Sequence, residues 1–196
     1  MRPALAAPRA VTTRSLHRLS AVVLGAFATL HLANHLLVVA GPAAHEAGLS
    51  LLRPLYRATV TEPVLLASAA IQIITGLGLF WQTRRGLGDR WRRASGLCLS
   101  FFLVAHTLAA LTFRATTGLE TNFYWAASVL TWPLALWFVP YYALGIVSLT
   151  VHVGVAVSRR PPWIFCAAGT LVAAIVIAGL GGLLYPVTVP DAYALQ

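Results

Sequence analysis

The sequence predicts an all-α protein, an integral membrane bundle of five transmembrane helices making one domain over residues 1–196. Two observations predict it. Of the 196 residues 59% are apolar and only 10% are charged, with a mean hydropathy of +0.78, whereas a soluble domain carries about 25% charge. The apolar residues also fall into runs of roughly 20, the length a helix needs to cross a bilayer.

The first span, about 17–40, is closed by Gly41-Pro42. The second, about 62–82, opens on Glu62-Pro63, which puts proline at a tolerated first-turn position. The third runs over about 95–114, the fourth over about 134–157 and the fifth over about 163–185, where Tyr185-Pro186 and Pro190 end it. The aromatic stretch 121–133 reads as an interfacial lead into the fourth span. The basic, alanine-rich residues 1–16 precede an apolar run too long for a signal peptide, which favours an uncleaved first span. Cys98 and Cys166 lie in apolar runs and read as buried small hydrophobes rather than a disulfide.

All fourteen basic residues are arginine, and the net charge is +9. These arginines stand in short clusters between apolar runs, so they speak for topology and against nucleic-acid binding. Arg2, Arg9, Arg14, Arg18, Arg84, Arg85, Arg90, Arg92, Arg93, Arg159 and Arg160 fall on one side, against Arg53, Arg57 and Arg114 on the other. The positive-inside rule then expects a multi-pass plasma-membrane protein with its N-terminus in the cytoplasm and its C-terminus outside.

Four of the spans carry residues that do not belong in lipid. The first carries His17, Ser20, His31, Asn34 and His35 on one stripe at steps of three and four. The second carries Ser68, Gln72, Thr75 and Gly76, the third Ser95 and His106, and the fourth Tyr141, Gly145, Ser148 and His152. The fifth offers only Thr170 and glycines, which suggests a peripheral helix. Four helices thus face a common interior. His17 and His45 fall at a flank and in a loop and make no special claim.

Depth separates the histidines. His31 follows Arg18, and His106 follows Arg93, by the same thirteen residues. At about 1.5 Å per residue both lie about 20 Å from the inner edge. His152 precedes Arg159 by seven residues, about 10 Å deep on the inner side. Two imidazoles from different helices at one depth suit bis-histidine ligation of haem b, which needs one axial ligand on each face. The only methionine is Met1, so it cannot serve. The competing reading makes the intramembrane histidines interhelical contacts in a haem-free anchor or small permease.

The segments LHRLSAVVLGAFATLHLANH, LYRATVTEP, IQIITGLGLF, LVAHTLAALTFR and LTVHVGVAV resemble, in order and spacing, the five-helix cytochrome b subunit of bacterial succinate dehydrogenases and fumarate reductases. The resemblance covers about residues 14–185. It implies an electron-transfer subunit, not catalytic on its own, between a cytoplasmic flavoprotein and iron–sulfur pair and membrane quinone. His31 and His106 match the outer haem's ligands, and His152 matches one inner ligand. The other inner position holds Gln72, which is not an ordinary axial ligand, so one low-spin haem is expected. Quinone is expected near His31, His35 and Glu62, and partner docking at the loop 84–93.

Overall fold

The structure is a computed structural model that describes residues 12–82 and 87–194. Arg2, Arg9, Arg84 and Arg85, four of the arginines assigned to the inner side, lie outside the described residues. Seven α-helices follow one another within them: α1 (Thr13–Leu36), α2 (Pro42–Tyr56), α3 (Thr61–Gln82), α4 (Leu87–Thr117), α5 (Phe123–Ser128), α6 (Ala135–Val157) and α7 (Pro162–Leu180). Five of them are long and apolar enough to cross a membrane: α1 with the 3₁₀ turn Leu37–Ala40, α3, α4, α6 and α7. Their outward residues are unlike those of a soluble bundle. Leu19, Val22, Trp81, Trp137 and Val157 are all exposed, Trp81 by 81%. In water each such side chain would forgo about 1.5–3 kcal/mol of burial. Hydrocarbon removes that loss, so the surface fits a bilayer.

Local chemistry sets the boundaries. Thr12 and Ser15 form a reciprocal capping box that starts α1. At the far end Gly41 adopts φ 97°, a conformation glycine tolerates, and Pro42 opens α2 immediately after it. Asn122 caps α5 by accepting the Trp125 N–H at 3.0 Å. α1 packs along α3, α4 along α6, and α6 along α7, while contacts between the α1–α3 pair and the α4–α6 pair are sparse.

Three expectations from the sequence are corrected. Residues 42–56 are a helix rather than loop, with His45 and Leu49 buried one turn apart. The stretch 121–133 holds α5, whose Phe123, Ala126 and Ala127 enter a core with Val38, Leu130, Val176 and Leu180. The fifth span is not peripheral. α7 buries Gly169, Ala173, Val176, Gly179 and Leu180, because its small residues let neighbours approach where polar ones are absent. It also ends at Leu180, earlier than 185. Cys98 and Cys166 are free thiols and only half-buried.

Candidate functional site

The polar residues of the bundle gather at two levels of α1. His17 and His31 stand fourteen residues apart on that helix, which separates the levels by about 20 Å.

At the level of His31, α1 faces α4. The His31 and His106 rings lie 6.1 Å apart between centroids at 62°. Phe27 stacks on His31 at 5.3 Å, and Phe102 stacks on His106 at 5.2 Å and 10°. Trp125 of α5 stands 6.2 Å from His106, and Tyr141 of α6 leans on Phe102 at 4.8 Å. Among the described residues no hydrogen-bond partner meets either ring. Two nitrogens each about 2 Å from one metal leave imidazole centroids about 6 Å apart. Both ring planes need only contain the nitrogen–metal axis, so their mutual angle is unrestricted. His31 and His106 are therefore the residues that would hold a haem here, since their centroid separation suits two ligands on one iron. Among the described residues no three His, Cys, Asp or Glu side chains are grouped to hold a metal ion. A haem needs only two protein ligands because its macrocycle brings four nitrogens.

A string of imidazoles continues from this pair toward α2. His35 meets His31 edge-on at 4.7 Å. Its Nδ1 lies 3.3 Å from His45 Nε2, and Asn34 Nδ2 lies 3.2 Å from the same atom. The other nitrogen of His45 faces the Glu46 carboxylate at 3.6 Å. Glu46 in turn accepts the Phe123 N–H at 2.7 Å, which ties α2 to α5. Gly48 makes the approach of α2 to α1 possible, since a Cβ there would overlap Asn34 and lie 2.6 Å from Leu37. From the sequence alone His45 falls in a loop between spans. The signal it carried was the His45–Leu49 step that marks one buried face of α2.

Burial holds His45 below the ordinary imidazole range, and the Glu46 carboxylate beside it offsets part of that shift. A histidine kept neutral by the fold favours the native state above its unfolded pKa of about 6.5. That contribution is lost as pH falls below this value, because the unfolded chain then binds the extra proton. Thermal unfolding in detergent is expected to move to lower temperature between about pH 7 and 5, and to do so less steeply in His45→Gln. Equal slopes in the two proteins would remove His45 from the account.

Glu62 is placed differently from His35. Its two carboxylate oxygens accept from Arg114 at 2.6 and 3.4 Å, joining the start of α3 to the end of α4. Arg57 pairs with Glu120 and donates to Thr121 at 3.0 Å, and Arg53 lies 3.5 Å from Glu120. The structure thus brings His31, His35 and His106 together, while Glu62 is engaged by an arginine.

At the other level Gln72 is held on both ends. Its Oε1 accepts from Ser20 at 2.6 Å, and its Nε2 donates to His17 Nε2 at 3.0 Å. His17 Nδ1–H donates to Thr75 Oγ1 at 2.9 Å, whose hydroxyl donates to the Ile71 carbonyl at 2.6 Å. Across the interior, His152 Nδ1–H donates to the Arg92 carbonyl at 3.2 Å with Ser95 Oγ at 3.3 Å. From the sequence alone His17 flanks the first span, although it stands on the same stripe as His31. Its pairing with Gln72 joins residues 55 apart in sequence and is tertiary information.

Near the start of α4, Arg93 lies 4.4 Å over the Phe80 ring and Arg92 donates to the Val155 carbonyl at 3.2 Å. Arg90 is exposed. Comparison with family models, curated proteins and solved structures finds no match to this chain.

Proposed function

We propose that this chain is the haem-bearing membrane subunit of an electron-transfer complex. It carries electrons between a cytoplasmic flavoprotein and iron–sulfur pair and membrane quinone, as the succinate:quinone oxidoreductases it resembles do. The observation that supports this reading best is the His31–His106 pair, 6.1 Å apart and without a hydrogen bond among the described residues. A polar group withdrawn from water without a hydrogen bond costs about 1–3 kcal/mol. Interhelical contacts would recover that cost through hydrogen bonds, and here none is made.

In this reading His31 and His106 hold a b-type haem, which when bound supplies one-electron transfer. Phe27 and Phe102 fix the two ring planes and exclude water from them. His35, edge-on to His31, is the polar group best placed to meet a quinone oxygen. Glu62 is less suited, since Arg114 occupies its carboxylate. The arginine asymmetry supports a cytoplasmic N-terminus, with Arg90 on the side that would meet the partners.

Purification from native membranes with pyridine haemochrome quantification, a reduced-minus-oxidised spectrum and subunit analysis tests the reading. Low-spin b haem on the chain, accompanied by flavin-bearing and iron–sulfur polypeptides, is expected. A haem-free protein would favour the anchor or permease, and haem without those partners would sink the complex while leaving the cytochrome.

A further inference from the structure

We infer that the cleft between the end of α3 and the start of α4 binds an anionic phospholipid, with Arg90 and Arg93 holding the headgroup phosphate and the acyl chains lying along α4. Such a site needs the chain to span a bilayer but does not need it to bind haem.

The two helices leave a cavity of about 300 Å³, lined by Phe80 of α3 and by Arg90, Arg93 and Ala94 of α4. Its walls are therefore apolar apart from two guanidinium groups. Arg90 and Arg93 stand three residues apart on α4, which puts them on one face of the helix. Neither takes part in an ion pair among the described residues. Arg53, Arg57 and Arg114, at the other end of the bundle, each meet a carboxylate. Two cations without a counter-charge beside one cavity match an anion.

Arg93 is already set for such a ligand. Its guanidinium lies 4.4 Å over the Phe80 ring. Stacking uses the flat face of the group and leaves its N–H edge free, and that edge matches two oxygens of a phosphate. Holding the side chain over Phe80 also removes conformational freedom before a ligand arrives, which lowers the entropy cost of binding.

The surroundings select a lipid as the source of the phosphate. Trp81 follows Phe80 and Trp91 follows Arg90, and both are exposed, as tryptophans at headgroup level are. From Arg93 the stripe continues along α4 at steps of four through Leu97 and Phe101, both exposed. These two carry it about 12 Å toward the middle of the span, where acyl chains would lie against them. The arginine asymmetry assigns this end to the cytoplasmic leaflet, whose anionic lipids bind basic pockets between spans. A carboxylate of a partner protein would match the charge of the arginines but leave Leu97 and Phe101 without a neighbour.

The test uses the full chain purified from native membranes, stripped of lipid in neutral detergent, and given dioleoylphosphatidylglycerol, dioleoylphosphatidylcholine or inorganic phosphate. Bound lipid is counted by native mass spectrometry, and Tm is followed alongside. Phosphatidylglycerol is expected to bind and to raise Tm, and the other two to do neither at the same concentration. Arg90→Gln and Arg93→Gln should each weaken phosphatidylglycerol binding about tenfold, the loss of one charge-assisted contact. Phe80→Leu should weaken it less, by releasing Arg93. Arg159→Gln, at an exposed arginine of the same side outside the cleft, should bind as the wild type does. An unchanged size-exclusion profile and circular dichroism spectrum report that each variant folds. Phosphatidylglycerol binding undiminished in the Arg90→Gln, Arg93→Gln double variant would overturn the site. Equal binding of phosphatidylcholine would remove the arginines from recognition and overturn it too. Inorganic phosphate that stabilises as well as phosphatidylglycerol would assign the cleft to a free anion rather than a lipid. Loss of co-purifying polypeptides from the double variant, with lipid binding intact, would make the cleft a protein docking face instead.

Discussion

His106→Ala is expected to lower the haem content by one per chain and to erase the outer low-spin signal, and His31→Ala is expected to do the same. The two residues sit on different helices with rings 6.1 Å apart, so under the proposed function both would be needed to hold the haem. His35 is the nearest imidazole to His31, but its Nδ1 is committed to His45 and its ring is edge-on at 89°. Losing one axial ligand leaves iron five-coordinate, which changes its spin state as well as its retention. The fold should survive, because His106 anchors α4 only through ring packing. α4 stays tied to α6 by Phe102, whose ring lies where a Cβ on Gly145 would fall. Size-exclusion profile and circular dichroism check that. His35→Ala serves as the control and should retain the six-coordinate signal. A full complement of low-spin haem in His106→Ala would remove this pair as the outer ligand set.

The membrane spans were legible because hydrocarbon as solvent demands long apolar runs, and nothing else in the chain competes with that signal. The depth arithmetic that matched His31 with His106 was legible for the same reason, since a straight helix fixes rise per residue. The structure places those two rings in contact. What could not be read was short or long-range. α5 has only six residues, too few to show a period, and its burial comes from neighbours far along the chain. α2 buries one narrow face, His45 with Leu49, inside a stretch that otherwise looks like a polar connection. α7 looked peripheral because it lacks polar residues, yet in lipid small residues are what mark a packed helix. The hydrogen bonds around Gln72 show the same limit. Gln72 was visible as a misfit, but the imidazole beside it comes from α1.

Gly169→Val is expected to be the most destabilising single change in the membrane-embedded packing. A Cβ at Gly169 would overlap Thr150 Oγ1 and come 2.9 Å from the Val147 Cα of α6. The Thr150 side chain cannot swing clear, since its hydroxyl donates to the carbonyls of Ile146 and Val147 at 3.1 and 2.9 Å. The Val147 contact is with backbone, so relief requires α6 and α7 to move apart. Helices in lipid gain no hydrophobic energy from association, and close packing is what holds them. Overpacking costs about 1–3 kcal/mol when side chains can adjust, and more when backbones must separate. For a chain of this size about 3 kcal/mol corresponds to a fall in Tm of about 10 °C. Separation would also loosen Val176 and Leu180 from the core they share with Val38 and Phe123. Gly25 provides the control, because nothing lies within 4 Å of a Cβ built there. Gly25→Ala should leave Tm unchanged or raise it, as alanine is favoured over glycine inside a helix by about 1 kcal/mol. Thermal unfolding of both variants in detergent decides the matter: a Gly169→Val protein that melts with the wild type would mean that α6 and α7 are not packed through this glycine.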